Sequence, residues 1–412
     1  MALKAPDFSA MRETLRSRNF AVFTMGNGLS VLGTWIQRLS VGWLTWDLTN
    51  SGSWLGAVAF AEFAPVVFLA PFMGVVTDRV DRRRLALAGQ YLAALQALVL
   101  AGLTLAHVIT PMMVLVLQVF AGIVQPLIQT ARLVLVPTLV PRERVGNAVA
   151  ITSLVFHTAR IIGPMIAGFL ITAIGVGWSF AANAASYIPV VWALKSLHLP
   201  PHQPRAGADP WTKILDDAKQ GWHYVFAHPV LGWVVPMVGI MSLLTWSIGD
   251  MLPGITDHMF GRGATGLATF TSAQGAGAIL GGLILAQRPS AKGLSRIVAF
   301  GMIGNGILIA AFSLTSAFWL AVPVLLGSSF FSVMVGVGSQ SLTQTTVEDD
   351  MRGRSMSVWY TITRAGPALG AVMLGSAASV FGFQKPLFVA GMLSALVAAG
   401  MWWRQVKRRQ RG

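Results

Sequence analysis

The 412-residue sequence contains no cysteine, and only 11% of its residues are charged. The absence of cysteine excludes disulfide bonds and thiolate metal sites. An ordinary soluble domain carries about 25% charged residues, so the scarcity of charge disfavours a soluble protein. No GxxxxGK[ST] or HExxH sequence occurs, and the seven histidines are scattered. We therefore expect neither ATP hydrolysis nor any other enzymatic activity, and neither a cofactor nor a metal.

Hydrophobic residues make up 54% of the chain. Apolar stretches of about 20 residues, enough to cross a bilayer as a helix, recur along its whole length. The period-two alternation of membrane-barrel strands is missing. The sequence therefore predicts an all-α membrane protein with twelve transmembrane helices. The predicted spans are residues 20–46, 53–76, 85–106, 111–131, 147–173, 177–194, 230–252, 264–286, 297–315, 318–345, 355–380 and 384–403.

The longest break between spans contains the proline-rich stretch LPPHQPRAGADPW (199–211). We interpret it as the connection between two pseudo-symmetric six-helix bundles. The predicted domains are a cytoplasmic N-terminal tail (1–19), a first bundle (20–194), a cytoplasmic linker (195–229), a second bundle (230–403) and a basic cytoplasmic tail (404–412).

A weak repeat relates the two predicted bundles. The loops VPRERVGNA (140–148) and VEDDMRGRS (347–355) are each followed by a helix rich in small residues that contains Gly-Pro, RIIGPMIAG (160–168) and RAGPALG (364–370). Such repeats are typical of transporters whose halves rock about a binding site at the membrane midplane.

The positive charges are distributed asymmetrically. With the N-terminus inside, 25 of the 30 Lys and Arg residues lie on the inner side, two lie outside and three lie within spans. Cytoplasmic loops of membrane proteins carry such an excess. We therefore expect a multi-pass protein of the bacterial inner (plasma) membrane with both termini cytoplasmic. The basic loops on the inner side account for the net charge of +15, so the charge does not indicate nucleic acid as a partner.

The loop after the second span, GVVTDRVDRRRL (74–85), carries six charges in seven residues. It fits the signature of the major facilitator superfamily, except that Asp81 stands where the pattern has glycine. The chain resembles the drug-efflux branch of that superfamily, which includes enterobactin-exporter-like proteins. Further segments that carry the resemblance are WLTWDLTNSGSWLG (43–56), GPMIAGFL (163–170), NAASY (183–187), GWHYVFAHPV (221–230) and MRGRSMSVWY (351–360).

The charged loop has two interpretations. Glycine permits close helix packing, and a carboxylate at the membrane edge needs hydrogen-bond donors such as a helix N-terminus. The resemblance implies that span eleven, starting near Arg354–Ser355, supplies those donors to Asp78 and closes the cytoplasmic side. Alternatively, the arginines only anchor the loop inside. The predicted cytoplasmic gate is Gly74, Asp78, Arg79, Arg83, Arg84 and Arg354.

The fifth span carries a variant of a motif that the resemblance associates with export. Efflux members often show Gly, three residues, Gly-Pro, two residues and Gly-Gly. The corresponding positions here are Ala159, Gly163, Pro164, Ala167 and Gly168, so two of the glycines are replaced by alanine. Proline bends helices, and small residues let them pack closely. We predict a hinge at Gly163, Pro164 and Gly168, with simple helix packing as the alternative.

Ionisable groups within spans are costly unless paired or hydrated, so they are functional candidates. Glu62, in the middle of its span, is the leading candidate for a group that binds and releases a proton. Gln118 occupies a place in span four where superfamily members often carry arginine, and with Gln125 and Gln129 it gives a polar face. The predicted proton-coupling or substrate-binding residues are Glu62, Asp250, Arg38, Arg160, Arg364, Gln118 and His157. Packing or carbonyl-bonding roles are the alternative for the arginines and His157.

Together these features predict a secondary active transporter, monomeric and surrounded by membrane lipids. We expect it to export amphipathic organic compounds, drug-like or siderophore-like, in exchange for protons by rocker-switch alternating access. The alternative is an uptake transporter of the same fold for a small organic solute. Intramembrane charges argue against a non-transporting receptor or scaffold.

Overall fold

The structure is a computed structural model that describes residues 8–197, 211–287 and 293–411, and no β-strand occurs within these ranges. The prediction of an all-helical protein is confirmed for this part of the chain. The first seven helices are α1 (Phe8–Leu15), α2 (Arg18–Thr49), α3 (Gly52–Arg79), α4 (Arg82–Leu105), α5 (Pro111–Leu135), α6 (Val145–Ile174) and α7 (Val176–Ser196). The remaining helices are α8 (Trp211–Ala227), α9 (Leu231–Met241), α10 (Ile248–Gly254), α11 (Gly263–Ala286), α12 (Leu294–Leu314), α13 (Phe318–Thr345), α14 (Asp349–Phe381) and α15 (Gln384–Arg411).

Every predicted span overlaps a helix of the structure. Within the described ranges, eight helical stretches are long and apolar enough to cross a membrane. They are Arg82–Leu105, Pro111–Leu139, Arg142–Ile174, Leu231–Met259, Gly263–Leu285, Leu294–Leu314, Phe318–Thr345 and Gln384–Lys407. The protein therefore has several membrane-spanning helices, while the count of twelve and the two-bundle layout stay predictions.

The seventh predicted span is not one regular α-helix. It consists of α9, a π-helical turn (Ser242–Trp246), α10 and a second π-helical turn (Ile255–Met259). A π-turn inserts one extra residue and redirects the side chains that follow, and such turns are frequent at functional sites. The segment continues beyond the predicted end at residue 252, so Asp257 lies within it.

The eleventh predicted span begins earlier than expected. Glu348 is extended, with φ −60° and ψ 151°, and α14 starts at Asp349. The N–H groups that lack regular intrahelical acceptors are those at the start of the helix, which here begins at Asp349, and among them the Met351 N–H donates to the Glu348 carbonyl oxygen at 3.1 Å. The expectation that they lie near Arg354–Ser355 was wrong, because the acidic residues before Arg354 belong to the helix.

The chain divides into two compact units: Met1–Val41 with Phe68–Ala208, and Gly42–Val67 with Asp209–Gly412. Large apolar side chains such as Phe20 and Leu194 are fully buried in the first unit, and Met237 and Met302 in the second. Residues 42–67 thus group with the second unit although α2 and α3 also extend into the first. The predicted domain boundaries remain a prediction.

Candidate functional site

Helices α2, α5 and α6 bring three arginines together around two aromatic rings. The guanidinium carbons of Arg38 and Arg160 lie 5.3 Å and 5.9 Å from the centre of the Trp35 ring. That ring meets Phe156 edge-on with centroids 6.0 Å apart, and the Arg132 guanidinium lies 5.7 Å from the Phe156 centroid. We call these five residues the arginine–aromatic cluster. Each cation–π contact contributes about 0.5–2 kcal/mol, depending on exposure to solvent.

Helical periodicity produces the cluster. Trp35 and Arg38 are three residues apart on α2, and Phe156 and Arg160 are four apart on α6, so each pair shares one face of its helix. Arg132 lies in the last turn of α5, where a cation interacts favourably with the helix dipole. The sequence prediction named Arg38 and Arg160, and the structure brings them together.

Arg132 was missed because it was assigned to the loop after the fourth span. It continues a polar stripe along α5 that consists of Gln118, Gln125, Gln129 and Arg132, which are spaced by seven, four and three positions. Gln129 accepts a hydrogen bond from the Arg132 guanidinium. Gln118, at the far end of the stripe, is 4% exposed, and its amide nitrogen has no partner among the described residues. The spacing of this stripe was the available signal.

Helix α6 exposes two chemically different faces. Ser153, His157 and Arg160 are exposed and, at a spacing of four and three, lie on one face. His157 also contacts Phe156, with ring centroids 5.6 Å apart. A second exposed face is apolar and consists of Leu154, Ile162, Met165 and Phe169. The apolar face is suited to lipid, and the polar face is suited to water.

The predicted hinge residues of the fifth span lie within one unbroken helix. Helix α6 continues from Val145 to Ile174 through Pro164, and Gly163 and Gly168 are buried. A side chain at Gly163 would place its Cβ 2.5 Å from the Cβ of Trp35. Glycine at this position thus lets α6 approach α2 beside the arginine–aromatic cluster. The contact supports a packing role, and the hinge stays a prediction.

A buried polar network, also missed from the sequence, joins α2, α4 and α7. Gln37 donates a hydrogen bond to the Gln96 side chain at 2.8 Å and accepts one from Asn183 at 2.8 Å. The exposed fractions of these side chains are 8%, 3% and 0%. Hydrogen bonds between helices hold membrane bundles in register, since hydrocarbon offers no alternative partners. Asn183 belongs to the NAASY segment, so the network explains one of the quoted sequence features.

The other predicted ionisable residues lie in the second unit. Glu62 is half-buried on α3, Asp250 is half-buried on α10 next to the first π-turn, and Arg364 is half-buried midway along α14. Their positions within helices agree with the sequence interpretation. Their part in proton or substrate binding stays a prediction. Within the described ranges, no group of three or more His, Asp or Glu side chains is arranged to hold a metal ion.

The second unit contains a close contact between the start of α3 and the end of α14. The hydroxyl groups of Ser53 and Ser379 lie 2.8 Å apart, and the Ser53 backbone N–H donates to the Ser379 oxygen at 2.9 Å. A Cβ at Gly52 would lie 2.8 Å from the carbonyl oxygen of Gly375. Small residues thus let these helix backbones approach closely. We call this contact the serine–glycine contact.

Next to it, the end of α2 is attached to the second π-turn. The Trp46 indole N–H donates a hydrogen bond to the Asp257 carboxylate at 2.9 Å. The Trp46 ring also meets Phe383 edge-on, with centroids 5.7 Å apart. Glycine at position 254 leaves room for both rings, since a Cβ there would overlap them. Sequence reasoning missed this hydrogen bond because its partners are 211 positions apart.

The charged loop at 74–85 is only partly described, and the side chains of Gly74, Asp78 and Arg79 lie outside the described residues. Asp81 is the N-cap of α4, because its carboxylate accepts a hydrogen bond from the Arg84 N–H at 2.9 Å. Such a cap stabilises a helix by about 1 kcal/mol. Aspartate in place of glycine therefore favours the turn.

The remaining members of the predicted gate lie in different surroundings. Arg83 donates hydrogen bonds to the carbonyl oxygens of Lys195 and Leu197, so it caps the C-terminus of α7. Arg84 is exposed, and Arg354 is half-buried on α14, where its guanidinium contacts the Met351 sulfur at 3.4 Å. The structure thus gives Arg83 a capping role within its own unit. The gating role of all three arginines stays a prediction.

Residues 9–411 match the family described as transmembrane secretion effectors. The enterobactin exporter EntS of Shigella boydii serotype 4 (strain Sb227) is 24% identical over 361 residues, which cover 85% of this chain and 85% of that protein. EntS of Escherichia coli O139:H28 (strain E24377A / ETEC) is 25% identical over 333 residues, covering 79% of this chain and 78% of that protein.

Solved transporters share the fold. The crystal structure of the nucleoside transporter NupG matches with a TM-score of 0.72 at 15% identity, covering 93% of this chain and 98% of that chain. A bacterial homolog of the human lysosomal transporter Spinster matches with a TM-score of 0.69 at 12% identity, covering 98% of both chains. The family match along almost the whole chain identifies a membrane transporter rather than an enzyme. The chain belongs to the transmembrane secretion effector family of the major facilitator superfamily.

Proposed function

We propose that this protein exports amphipathic organic compounds across the bacterial inner membrane in exchange for protons. The observation that carries the proposal is the match of residues 9–411 to the secretion effector family, together with relatives named as exporters. Polar and cationic faces on membrane-spanning helices support it, since ionisable groups in spans mark substrate and ion pathways.

The proposed orientation follows from the positive charges. With both termini cytoplasmic, the connection between α2 and α3 at residues 50–51 is external and the loop at residues 80–81 is internal. The serine–glycine contact and the Trp46–Asp257 hydrogen bond then lie at the outer side. The substrate would enter from the cytoplasm while these contacts are closed.

Alternating access requires contacts that form in one state and break in the other. Helix α2 is unbroken from Arg18 to Thr49, so Trp46 moves with the whole helix. We propose that the Trp46–Asp257 hydrogen bond and the serine–glycine contact form the outer gate. The inner gate is the predicted pairing of Asp78 with N–H groups at the start of α14. Opening of one gate accompanies closing of the other.

Glu62 is the proposed proton carrier. Its half-buried carboxyl group on α3 lies two and a half helical turns from Ser53 in the outer gate. A carboxyl group in such surroundings can exchange a proton as its exposure changes between the two states. Because Glu62 and Ser53 lie on the same helix, a movement of α3 that opens the outer gate would also change the exposure of Glu62 and so release its proton.

The test is transport by the purified protein in liposomes, with internal pH and solute measured together. Wild-type protein should move protons only when a transported dye moves in the opposite direction. Glu62→Gln should abolish the coupled flux, whereas Glu143→Gln, an exposed control in the turn before α6, should not.

Direction is tested in cells. An exporter lowers dye accumulation relative to cells without the protein, and an uncoupler restores it. Higher accumulation in the presence of the protein would establish the uptake alternative. Lower accumulation that survives the uncoupler would exclude proton exchange.

A further inference from the structure

We propose that the arginine–aromatic cluster binds aromatic compounds that carry a carboxylate or a similar anionic group. The inference rests on the proposed function insofar as such compounds are the transported solutes. It adds a class of substrate to the proposed function, because neither the family description nor the names of the relatives assign a ligand to these five residues.

The geometry of the cluster matches both parts of such a compound. The Trp35 and Phe156 rings, 6.0 Å apart and at 69° to each other, offer apolar surfaces to a flat ring. The guanidinium groups of Arg38, Arg132 and Arg160 lie within 6 Å of these ring centres. Guanidinium groups bind carboxylates with two parallel hydrogen bonds and also stack on aromatic faces.

The cluster lies where a solute can reach it. Arg160 and His157 belong to the polar exposed face of α6, which is separate from the apolar exposed face. Charged groups in membrane-spanning helices face the bundle interior or a water-filled cavity. The cluster also terminates the polar stripe on α5, which therefore leads from buried Gln118 to half-buried Arg132.

Charge gives the site its selectivity. Three guanidinium groups around two rings produce a positive potential that attracts anions and repels cations, and low-dielectric walls strengthen this field. Like-charge contacts reject a wrong ligand more effectively than a missing hydrogen bond does. We therefore expect the order of affinity to be anionic, then neutral, then cationic for compounds with the same ring.

The test measures binding to full-length protein in lipid nanodiscs by scintillation proximity. The probes share one naphthalene ring: 1-naphthoate, 1-naphthamide and 1-naphthylmethylammonium. Naphthoate should bind about tenfold or more tightly than the amide, the difference expected for a charge-assisted hydrogen bond. Arg132→Gln and Arg160→Gln should each weaken naphthoate binding more than amide binding, and so remove most of this preference. Arg160→Lys should keep part of it, since the charge remains but the two-pronged donor is lost.

Arg296→Gln is the matched control, because Arg296 is an exposed arginine on α12 of the other unit. Thermal unfolding of each variant establishes that it is folded. Equal affinity for the three probes, absence of naphthoate binding to the wild type, or an unchanged preference in both glutamine variants would overturn the proposal. Transport of the cationic probe without naphthoate binding would overturn the anionic site alone and leave export standing. Naphthoate binding without transport of any probe would instead count against the proposed function.

Discussion

Replacing Trp46 with phenylalanine should open the outer gate more often. The variant keeps an aromatic ring next to Phe383 but removes the N–H that donates to Asp257 at 2.9 Å. A hydrogen bond to a charged group contributes about 1.5–3 kcal/mol, and partial burial of this pair places it at the lower end. A loss of about 1–2 kcal/mol in the closed state alone changes the equilibrium by roughly 5- to 30-fold.

The readout is labelling of a single cysteine at Ala378, and the chain has no native thiol to interfere. Ala378 is 7% exposed, and its Cβ lies 3.2 Å from the position that a Cβ would occupy at Gly52. A membrane-impermeant maleimide added outside should react only while the gate is open. The initial labelling rate should therefore rise by the same roughly 5- to 30-fold in the Trp46→Phe background.

Trp178→Phe provides the control, since Trp178 is 52% exposed on α7 of the first unit. It should leave the labelling rate unchanged. Equal rates in the parent and in Trp46→Phe would refute the assignment of this hydrogen bond to the outer gate. An equal rise in both tryptophan variants would indicate a general loosening instead.

Gly163→Ala should destabilise the protein by about 1–3 kcal/mol, because its Cβ would overlap that of Trp35. Gly146→Ala is the control on the same helix: no atom lies within 4 Å of the added Cβ, so this variant should be neutral or stabilising by up to about 1 kcal/mol. Equal thermal unfolding midpoints for the two glycine variants would contradict the predicted difference. Asn183→Ala leaves the buried Gln37 oxygen without its donor and should lower stability by about 1–3 kcal/mol, as checked by denaturation in detergent. Asp78→Asn should raise cysteine labelling from the cytoplasmic side, and unchanged labelling on both sides would exclude the inner gate.

Much of the fold could be predicted because bilayer physics leaves few choices. Apolar stretches separated by basic loops determine helices and their approximate ends. The start of α14 was misplaced because acidic residues at 348–350 look like a loop in sequence, whereas acidic residues are also favourable in the first turn of a helix. The π-turns could not be predicted, since their hydrogen-bond pattern depends on packing around α9 and α10.

The candidate site was predicted less completely. Arg38 and Arg160 were recognised because charges in spans are rare. Arg132 was assigned to a loop because it is the first residue after the predicted end of the fourth span at residue 131. The partners of Trp46 and Asn183 lie 211 and 146 positions away, so only the fold brings them together. Asp81 shows the reverse case: its departure from the family pattern was visible in the sequence, and the N-cap hydrogen bond from the Arg84 N–H explains it.

Proton-coupled export is tested most directly by simultaneous measurement of solute and proton fluxes in liposomes containing the purified protein. With a pH gradient imposed, wild-type protein should drive naphthoate against its concentration gradient while protons move the opposite way. Glu62→Gln should show neither flux, and Glu143→Gln should show both. Uphill naphthoate movement by Glu62→Gln, or wild-type naphthoate movement with no accompanying proton flux, would contradict proton exchange through Glu62.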